Sequence, residues 1–296
     1  GYSNTTGVAL NAFGTQALQA NTTGAGNSAF GGYHVGQYNA ALFSNTTGNY
    51  NNAFGSGALA NNTTGSSNVA MGWAALTQNT TASQNTAVGY QAGYSNSTGG
   101  AGTYIGQGAG YNSTVGSTVC VGANAGSNLN TGYYGVYIGS GVQANASNVT
   151  NEIVIGTNSQ SGKGSSTGFI TPGGGGVYQG NNSSSWSTTS DQRLKKNIVD
   201  NNDGLNKINA VRVRNFEYRL PEEVDAELKP TDAVEKSGVQ LGVIAQELQQ
   251  VLPECVKQES TGVLSVDPDS LTWYLVNAVK QLSAEVESLK SQLKGN

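Results

Sequence analysis

The residues best suited to chemistry lie in one short segment that runs from Ser190 to Lys195 and reads Ser-Asp-Gln-Arg-Leu-Lys. A serine hydroxyl is a weak nucleophile until a base removes its proton. The chain has one histidine, His34, which lies far upstream, so a histidine base is disfavoured. A serine–lysine pair is the remaining known arrangement, and Lys195 is the lysine that follows Ser190 most closely.

A lysine can act as this base only if its pKa falls from about 10.4 towards neutrality, which burial or a neighbouring cation favours. Arg193 and Lys196 are such neighbours in the sequence. The same segment also fits a helix N-cap followed by a solvated basic face. From these residues alone, both interpretations stay open.

The charge distribution disfavours most other chemistries in the rest of the chain. Only Glu152 and Lys163 are charged before Asp191, and the net charge is -4. Enzymes that cleave glycans need paired carboxylates, and residues 1–151 contain no Asp or Glu, so a hydrolase is not expected there. Binding of nucleic acid would need a clustered basic face, which the sequence lacks.

We expect no metal site and no cofactor. Cys120 and Cys255 lie in different halves and are interpreted as free thiols, because they form neither a disulfide framework nor a metal spacing. The one metal alternative is a site formed by three copies of His34 on a trimer axis. No membrane insertion is expected, since no apolar run approaches about 18 residues. The first residues do not resemble a signal peptide, so we expect a fragment that lacks upstream domains.

A unit of small or apolar residues followed by glycine recurs nine times in the first half. Its glycines are separated by 17, 24, 17, 17, 17, 16, 17 and 17 residues, and the one long interval follows Gly31. Between these units lie Asn-Thr-Thr-Gly tetrads, such as residues 45–48. Asn and Gly tolerate left-handed backbone angles, so the tetrads are predicted to be turns.

A period near 17 residues is too short for helical repeats and predicts solenoid coils of two short strands and two turns. Each coil is too poor in apolar side chains to bury a core alone, so stacking along an axis and association around it are both expected. The alternative is a disordered Gly/Asn/Ser linker, which would have no reason to keep the register.

The repeats resemble the β-roll heads of trimeric autotransporter adhesins and the shafts of phage tail fibres. This resemblance implies an all-β repetitive solenoid over residues 1–158, either a β-roll or an intertwined triple β-helix, in a homotrimer. Residues 159–189 are predicted to be a Gly/Ser-rich linker or the shaft end. From residue 190 the composition is that of an ordinary globular domain, predicted to be α+β and to extend to residue 296.

The opening segment 190–198 is followed in order by a predicted strand ending at Phe216-Glu217-Tyr218, a helix that begins at 242–248, and a strand at 263–267. This series resembles the endosialidase-type intramolecular chaperone, a self-cleaving serine peptidase domain at the end of phage tailspikes and tail fibres. The resemblance covers residues 190–296.

The resemblance implies roles for residues of the segment from Ser190 to Lys195. Ser190 and Lys195 match the catalytic dyad, and the cut falls between Thr189 and Ser190. Asp191 and Arg193 match positions that we assign to positioning. It also implies a place in a phage virion, as a tail fibre or appendage assembled in the host cytoplasm.

A long helix closes the chain, and we predict a coiled coil over residues 269–294. Its apolar residues are spaced by alternating steps of four and three, which is a heptad seam that packs against copies of the same helix. The seam comprises Leu275, Val279, Leu282, Val286, Leu289 and Leu293. Packing against its own domain is the alternative; the fibre resemblance favours three strands.

The expected function is therefore a trimeric fibre whose last domain drives trimerisation and folding and then cuts itself off. A fibre that keeps this domain permanently is the first alternative, and a membrane-bound regulator with the same cleavage domain is the second. Twelve of the 14 tyrosines lie before residue 190, among Asn and Ser, a composition suited to binding a host cell-surface glycan. These rings are otherwise expected to cover and rigidify the solenoid.

Overall fold

The computed structural model describes residues 3–34, 36, 39–157, 159–172, 176–180, 187–188, 190–230, 233–234, 236–259 and 262–294. The chain divides into two compact units, Gly1–Lys195 and Lys196–Asn296. Among the described helices, none combines the length and the apolar character that crossing a membrane requires. The domain boundaries set from the sequence, 1–158, 159–189 and 190–296, stay predictions.

The first unit is a stack of coils built on a twelve-stranded sheet whose strands follow chain order. Strands β1 to β10 are parallel, each paired with the strand of the next coil, and β11 and β12 are added antiparallel. The predicted all-β solenoid is confirmed. Its strands are β1 (Asn11–Phe13), β2 (Ser28–Phe30), β3 (Asn52–Phe54), β4 (Val69–Met71), β5 (Thr86–Val88), β6 (Thr103–Ile105), β7 (Val119–Val121), β8 (Val136–Ile138), β9 (Ile153–Gly156), β10 (Gly168–Thr171), β11 (Val177–Gln179) and β12 (Ser187–Thr188).

The expectation of two strands in each coil is wrong for the described coils, which each hold one strand and return through turns. On the return side, Leu42 and Leu59 have φ values of 50° and 51°. Such left-handed residues interrupt an extended segment. The backbone N–H groups of Leu42 and Leu59 nevertheless donate to the carbonyls of Ala58 and Ala75 in the next coil, both at 3.0 Å.

Leucine in the left-handed region is costly, by roughly 1–2 kcal/mol for an L-residue. Leu18, Leu42, Leu59 and Leu76 all adopt it and are completely buried. Burying a leucine side chain contributes about 1.5–3 kcal/mol, which offsets the cost. These four leucines fill a core in which the central residues of the early strands are only alanines, such as Ala53.

Later coils solve the same packing problem with a buried tyrosine surrounded by glycines. Tyr104 is central in β6 and fully buried. A Cβ atom on Gly93, Gly102 or Gly110 would lie 2.7, 2.6 or 2.2 Å from an atom of its ring. No side chain fits at those distances. The coils therefore exchange an Ala–Leu pair for a Tyr–Gly set while keeping the core filled.

Two rows of buried asparagines run along the stack. In the turn row (Asn21, Asn45, Asn62 and Asn79) the Nδ2 of each of the last three donates to the Oδ1 of the asparagine one coil earlier, at 2.9, 2.7 and 2.6 Å. In the strand row (Asn27, Asn51, Asn68 and Asn85) each Oδ1 of the first three accepts the backbone N–H of the next member, at 2.9, 3.0 and 3.0 Å. Each row thus ties a coil to its neighbour through buried, directional hydrogen bonds.

Aromatic hydroxyls and a carboxylate take over where the asparagine rows end. The Nδ2 of Asn96 donates to the Tyr104 hydroxyl at 3.2 Å. Further along, Glu152 is fully buried and accepts from the Tyr137 hydroxyl at 3.2 Å and from the backbone N–H groups of Asn145 and Gly164 at 3.1 and 2.6 Å. Burial and the nearby Glu152 charge raise the pKa of Tyr137. The first charged residue of the chain is therefore a core residue.

The opposite face of the sheet carries a continuous apolar row. Side chains alternate between faces along a strand, so the central residue of each short strand points into the core and the third points outward. The third residues of β1 to β10 are stacked in register, and all are exposed or half-buried. This outer stripe consists of Phe13, Phe30, Phe54, Met71, Val88, Ile105, Val121, Ile138, Ile155 and Ile170.

The second unit is a small α+β arrangement. Its helices are α1 (Leu205–Ala210), α2 (Ala245–Gln249) and α3 (Asp269–Lys294). Its strands pair antiparallel, β13 (Arg214–Phe216) with β14 (Gln240–Gly242) and β15 (Val256–Gln258) with β16 (Leu264–Val266). The core consists of Leu248, Leu252 and Cys255, packed by the partly buried Leu271 and Tyr274 of α3.

The first turns of α3 hold the unit together, and its later turns project a free face. The Gln281 side chain accepts the backbone N–H of Leu205 at 2.6 Å and donates to the carbonyl of Asn202 at 2.7 Å. The six seam residues predicted from the sequence are exposed by 41% to 79%. The core contacts of α3 come instead from Leu271, Tyr274 and the buried Ala278. The long terminal helix is confirmed, and its seam is not used within the second unit.

The turn row yields a stability prediction with a neighbouring control. Asn62→Ala removes the donor to Asn45 and the acceptor for Asn79 inside the core. We expect a loss of about 1–3 kcal/mol in the free energy of unfolding, because buried partners are left unsatisfied. Asn61→Ala removes only an exposed bond to Gln78 and should cost less than about 0.5 kcal/mol. Denaturant unfolding of both variants measures this, and equal losses would contradict the internal role of the row.

Candidate active site

The segment that the sequence singled out folds into one tight turn at the end of the first unit. Asp191 has an extended backbone and caps a single 3₁₀ turn, Gln192–Leu194, by accepting the N–H of Arg193 at 2.8 Å. The turn closes when the N–H of Lys195 donates to the carbonyl of Gln192 at 3.0 Å. Lys195 then leaves in an extended conformation.

This turn brings Ser190 and Lys195 together. The Nζ of Lys195 lies 2.6 Å from the Oγ of Ser190, within hydrogen-bonding distance. A nucleophile and its base must touch in this way for the proton to pass between them. Both residues are exposed to solvent in the single chain. The fold therefore supplies the contact between the two groups without burying them.

The two residues predicted to have a positioning role form their own pair. Arg193 donates to Asp191 from Nε at 3.0 Å and from its terminal nitrogen at 2.6 Å, a two-pronged contact. The Arg193 contact lowers the pKa of the Asp191 carboxyl. The pair braces the turn, and the Arg193 guanidinium is occupied by the Asp191 carboxylate.

The residue on the other side of the predicted cut, Thr189, lies outside the described residues. The described chain before it is β12, in which Thr188 pairs with Val177 of β11. Ser190 thus follows closely after the last strand of the shaft sheet. Among the residues that the structure describes, no group of three His, Cys, Asp or Glu side chains is arranged to hold a metal ion.

An ion pair in the second unit was not predicted from the sequence. The Oε1 and Oε2 atoms of Glu247 accept from Arg214 at 2.6 and 3.0 Å. The Arg214 contact lowers the pKa of Glu247, and Arg212 adds to it. This fork ties β13 to α2 within the unit. Glu247 lies in the segment 242–248 that the sequence identified as a helix start, but its partner Arg214 lies far away in the sequence, so the pairing was not predicted.

Comparison with known proteins gives matches to this same region. Residues 190–257 match the family described as "Chaperone of endosialidase", so the family match begins at Ser190 itself. The long tail fiber protein Gp37 of Enterobacteria phage K3 is 36% identical over 108 residues, which is 35% of this chain and 8% of that protein. Gp37 of Enterobacteria phage T2 is 36% identical over 108 residues, 35% of this chain and 7% of that protein.

These matches confirm the resemblance to a phage tail fibre with a C-terminal chaperone-type domain. The family is a peptidase family, which implies self-cleaving activity in general. The chain spans less than a tenth of the length of the curated relatives it matches.

The Asp191–Arg193 contact predicts a measurable titration. The pKa of Asp191 is lowered in the folded chain, so above the ordinary aspartate pKa its carboxylate is charged and paired with Arg193. The ion pair is lost as the pH falls through the lowered pKa, because the carboxylate is then protonated. Arg193→Gln should raise the Asp191 midpoint towards its ordinary value. Arg214→Gln removes the other arginine fork and should leave that midpoint unchanged. Carboxyl carbon NMR follows both, and an Asp191 midpoint indifferent to Arg193 would contradict the pairing.

Proposed function

We propose that this chain is the end of a homotrimeric phage fibre whose last domain assembles the shaft and then releases itself by cutting between Thr189 and Ser190. The observation that carries the proposal is the 2.6 Å contact between Ser190 Oγ and Lys195 Nζ at the first residue of the family match. The virion is the proposed location, with assembly in the host cytoplasm.

In the proposed reaction, Lys195 with a neutral amine accepts the hydroxyl proton of Ser190. The Oγ atom then attacks the carbonyl carbon of Thr189, and the C–N bond to Ser190 breaks as the leaving nitrogen takes up a proton. Water hydrolyses the resulting ester, which restores the serine hydroxyl and leaves a carboxylate on Thr189. Each chain undergoes this reaction once, so no turnover is needed.

A lysine amine is neutral near physiological pH only when burial or another cation lowers its pKa. Ser190 and Lys195 are exposed in the single chain, and Arg193 is engaged by Asp191. We propose that packing of three chains supplies the burial, so that cleavage follows assembly. The exposed seam of α3 supports this order, because it offers a contact between chains that does not use the shaft.

The chaperone role rests on the difficulty of assembling the shaft. Pairing of strands from distant parts of a chain, or from different chains, is slow and exposes aggregation-prone surface. A domain that trimerises first would raise the local concentration of the three shafts and set their alignment. Removing it afterwards would make the assembly irreversible, which gives a kinetically stable fibre.

The alternative is a fibre that keeps its last domain. The exposure of Ser190 and Lys195 favours it, because an unburied pair lacks the surroundings that a lysine base needs. In either case we propose that the shaft contacts a host cell-surface glycan. Uncharged surface tyrosines support this, including Tyr50, Tyr90 and Tyr134, which are exposed by 66%, 47% and 58%.

Cleavage is tested by the intact mass of freshly synthesised protein. Wild type should yield one fragment ending at Thr189 and one beginning at Ser190, and Ser190→Ala should stay whole. Lys195→Gln should slow cleavage by about 100-fold or more, because it removes the general base. Lys236→Gln removes an exposed lysine that is remote from the dyad in the sequence and should cleave normally. If wild type stays whole under native folding conditions, the permanently capped fibre replaces this proposal.

Assembly through α3 is tested separately in the Ser190→Ala background. Val286→Asp places a charge in the seam, while Ala284→Asp places the same charge on the opposite, exposed side of the helix. We expect only Val286→Asp to lower the native mass and the yield of folded shaft, since a buried unpaired charge is strongly unfavourable. Light scattering measures the mass. A trimer that tolerates both changes would remove the seam from the assembly mechanism.

A further inference from the structure

The outer stripe is an extended apolar surface that the single chain leaves uncovered. Eight of its ten side chains are exposed by 36% to 63%. Because neighbouring strands lie about 4.8 Å apart, the ten positions form a row on the order of 40 Å long. The largest apolar patch of a typical monomer is only about 300–600 Å², and larger ones mark interaction sites.

The surroundings of the stripe restrict what can cover it. Residues 1–151 contain no charged side chain, so nothing in most of the shaft attracts a charged partner or repels a neutral one. A partner must instead offer apolar groups at the strand spacing over the full length of the row. A second copy of this chain presents such a row by construction. When two stripes face each other, each would bury an area on the order of the ~800 Å² per partner that stable interfaces bury.

The stripe also has a direction, because its residue types change from one end to the other. Phe13, Phe30 and Phe54 form a stack of rings with centroids 4.8 and 4.7 Å apart. The far end, from Ile138 to Ile170, is β-branched. Copies that run parallel and in register pack phenylalanine with phenylalanine and isoleucine with isoleucine. An antiparallel or slipped pairing would set flat rings against branched chains of different volume, which packs poorly.

We propose that the outer stripe is the surface by which the shafts of this protein associate, parallel and in register, with the three phenylalanines marking the register. The occupant of the stripe is a further copy of this chain. This inference rests on the self-association in the proposed function and not on the cleavage. It assigns the contact between shafts to the outer stripe, in addition to any contact through α3.

The test adds one thiol at Met71, the fourth residue of the stripe, in the whole 296-residue chain. When shafts are parallel and in register, the Met71 positions of different copies face each other near the common axis. In an antiparallel pair, Met71 would face Val121 instead. The control is Thr64→Cys, an exposed turn residue of the same coil. The native Cys120 and Cys255 are fully buried and should not react under native conditions.

Native protein is treated with a short bis-maleimide and separated on a denaturing gel. We expect Met71→Cys to give a two-chain band and to keep about a third of its single-chain band, because one thiol per chain links at most two of three chains. Wild type and Thr64→Cys should give no two-chain band. Native mass and cleavage state are recorded on the same samples, so that failure of the stripe can be told apart from failure of the trimer or of cleavage. A trimer in which Met71→Cys stays unlinked, or in which Thr64→Cys links equally, overturns the stripe alone. A native mass of one chain overturns the stripe and the proposed trimer together.

Discussion

Hydrogen bonds that run along the stacking axis hold the shaft together. Each of the strands β1 to β9 pairs with the strand of the next coil. Inside the stack each asparagine of the turn row donates to the one before it, as Asn62 does to Asn45 at 2.7 Å. Such buried amide–amide bonds are directional and need a partner at a fixed spacing. They require a regular spacing between coils, which explains why most coils keep a length of 16 or 17 residues while the residues in them change. They also explain how a shaft with almost no charge stays folded with a core made largely of alanines.

The same arrangement leaves the sides of the shaft without directional contacts. The bonds that satisfy the backbone are used between coils, so in the proposed assembly contact between chains falls to side chains on the outer stripe and to any separate assembly element. Apolar contacts are non-directional and favour any alignment that removes surface from water. Alignments slipped by a coil or more bury a comparable area of the stripe, so burial alone leaves the alignment degenerate. The stacked phenylalanines at one end break this degeneracy only after the chains are close.

The repeat, its length, the solenoid class and the terminal helix could all be predicted from the sequence, because each follows from a periodic pattern. The packing inside the coil could not be predicted in this way. Asparagine was interpreted as a turn former, and the turns do contain it, but its side chain is also buried, as in Asn62. Leu18 and its equivalents adopt left-handed angles that no propensity would assign to leucine. The burial of Glu152 depends on the Tyr137 hydroxyl and on the absence of a Cβ at Gly162. These three residues are separate in the sequence, so no local pattern connects them. At the site, the spacing of Ser190 and Lys195 was visible, but their contact depends on a turn capped by Asp191.

The division of the chain into a nearly uncharged shaft and a charged second unit fits the proposed assembly. A seam on a long helix combines apolar contacts every third or fourth residue with charged flanking positions, and such a seam specifies partner number and alignment over a few turns. The shaft's stripe cannot do this at early stages, since slipped alignments bury comparable area. In the proposed assembly, a unit that aligns the chains is therefore needed while the shaft forms, and it is needed less once the phenylalanine end is packed. After that point the shaft would maintain the alignment itself, so removing the unit would cost the proposed fibre little. The position of the Ser190–Lys195 contact, directly after the last strand of the shaft sheet, is where a cut would separate the two tasks.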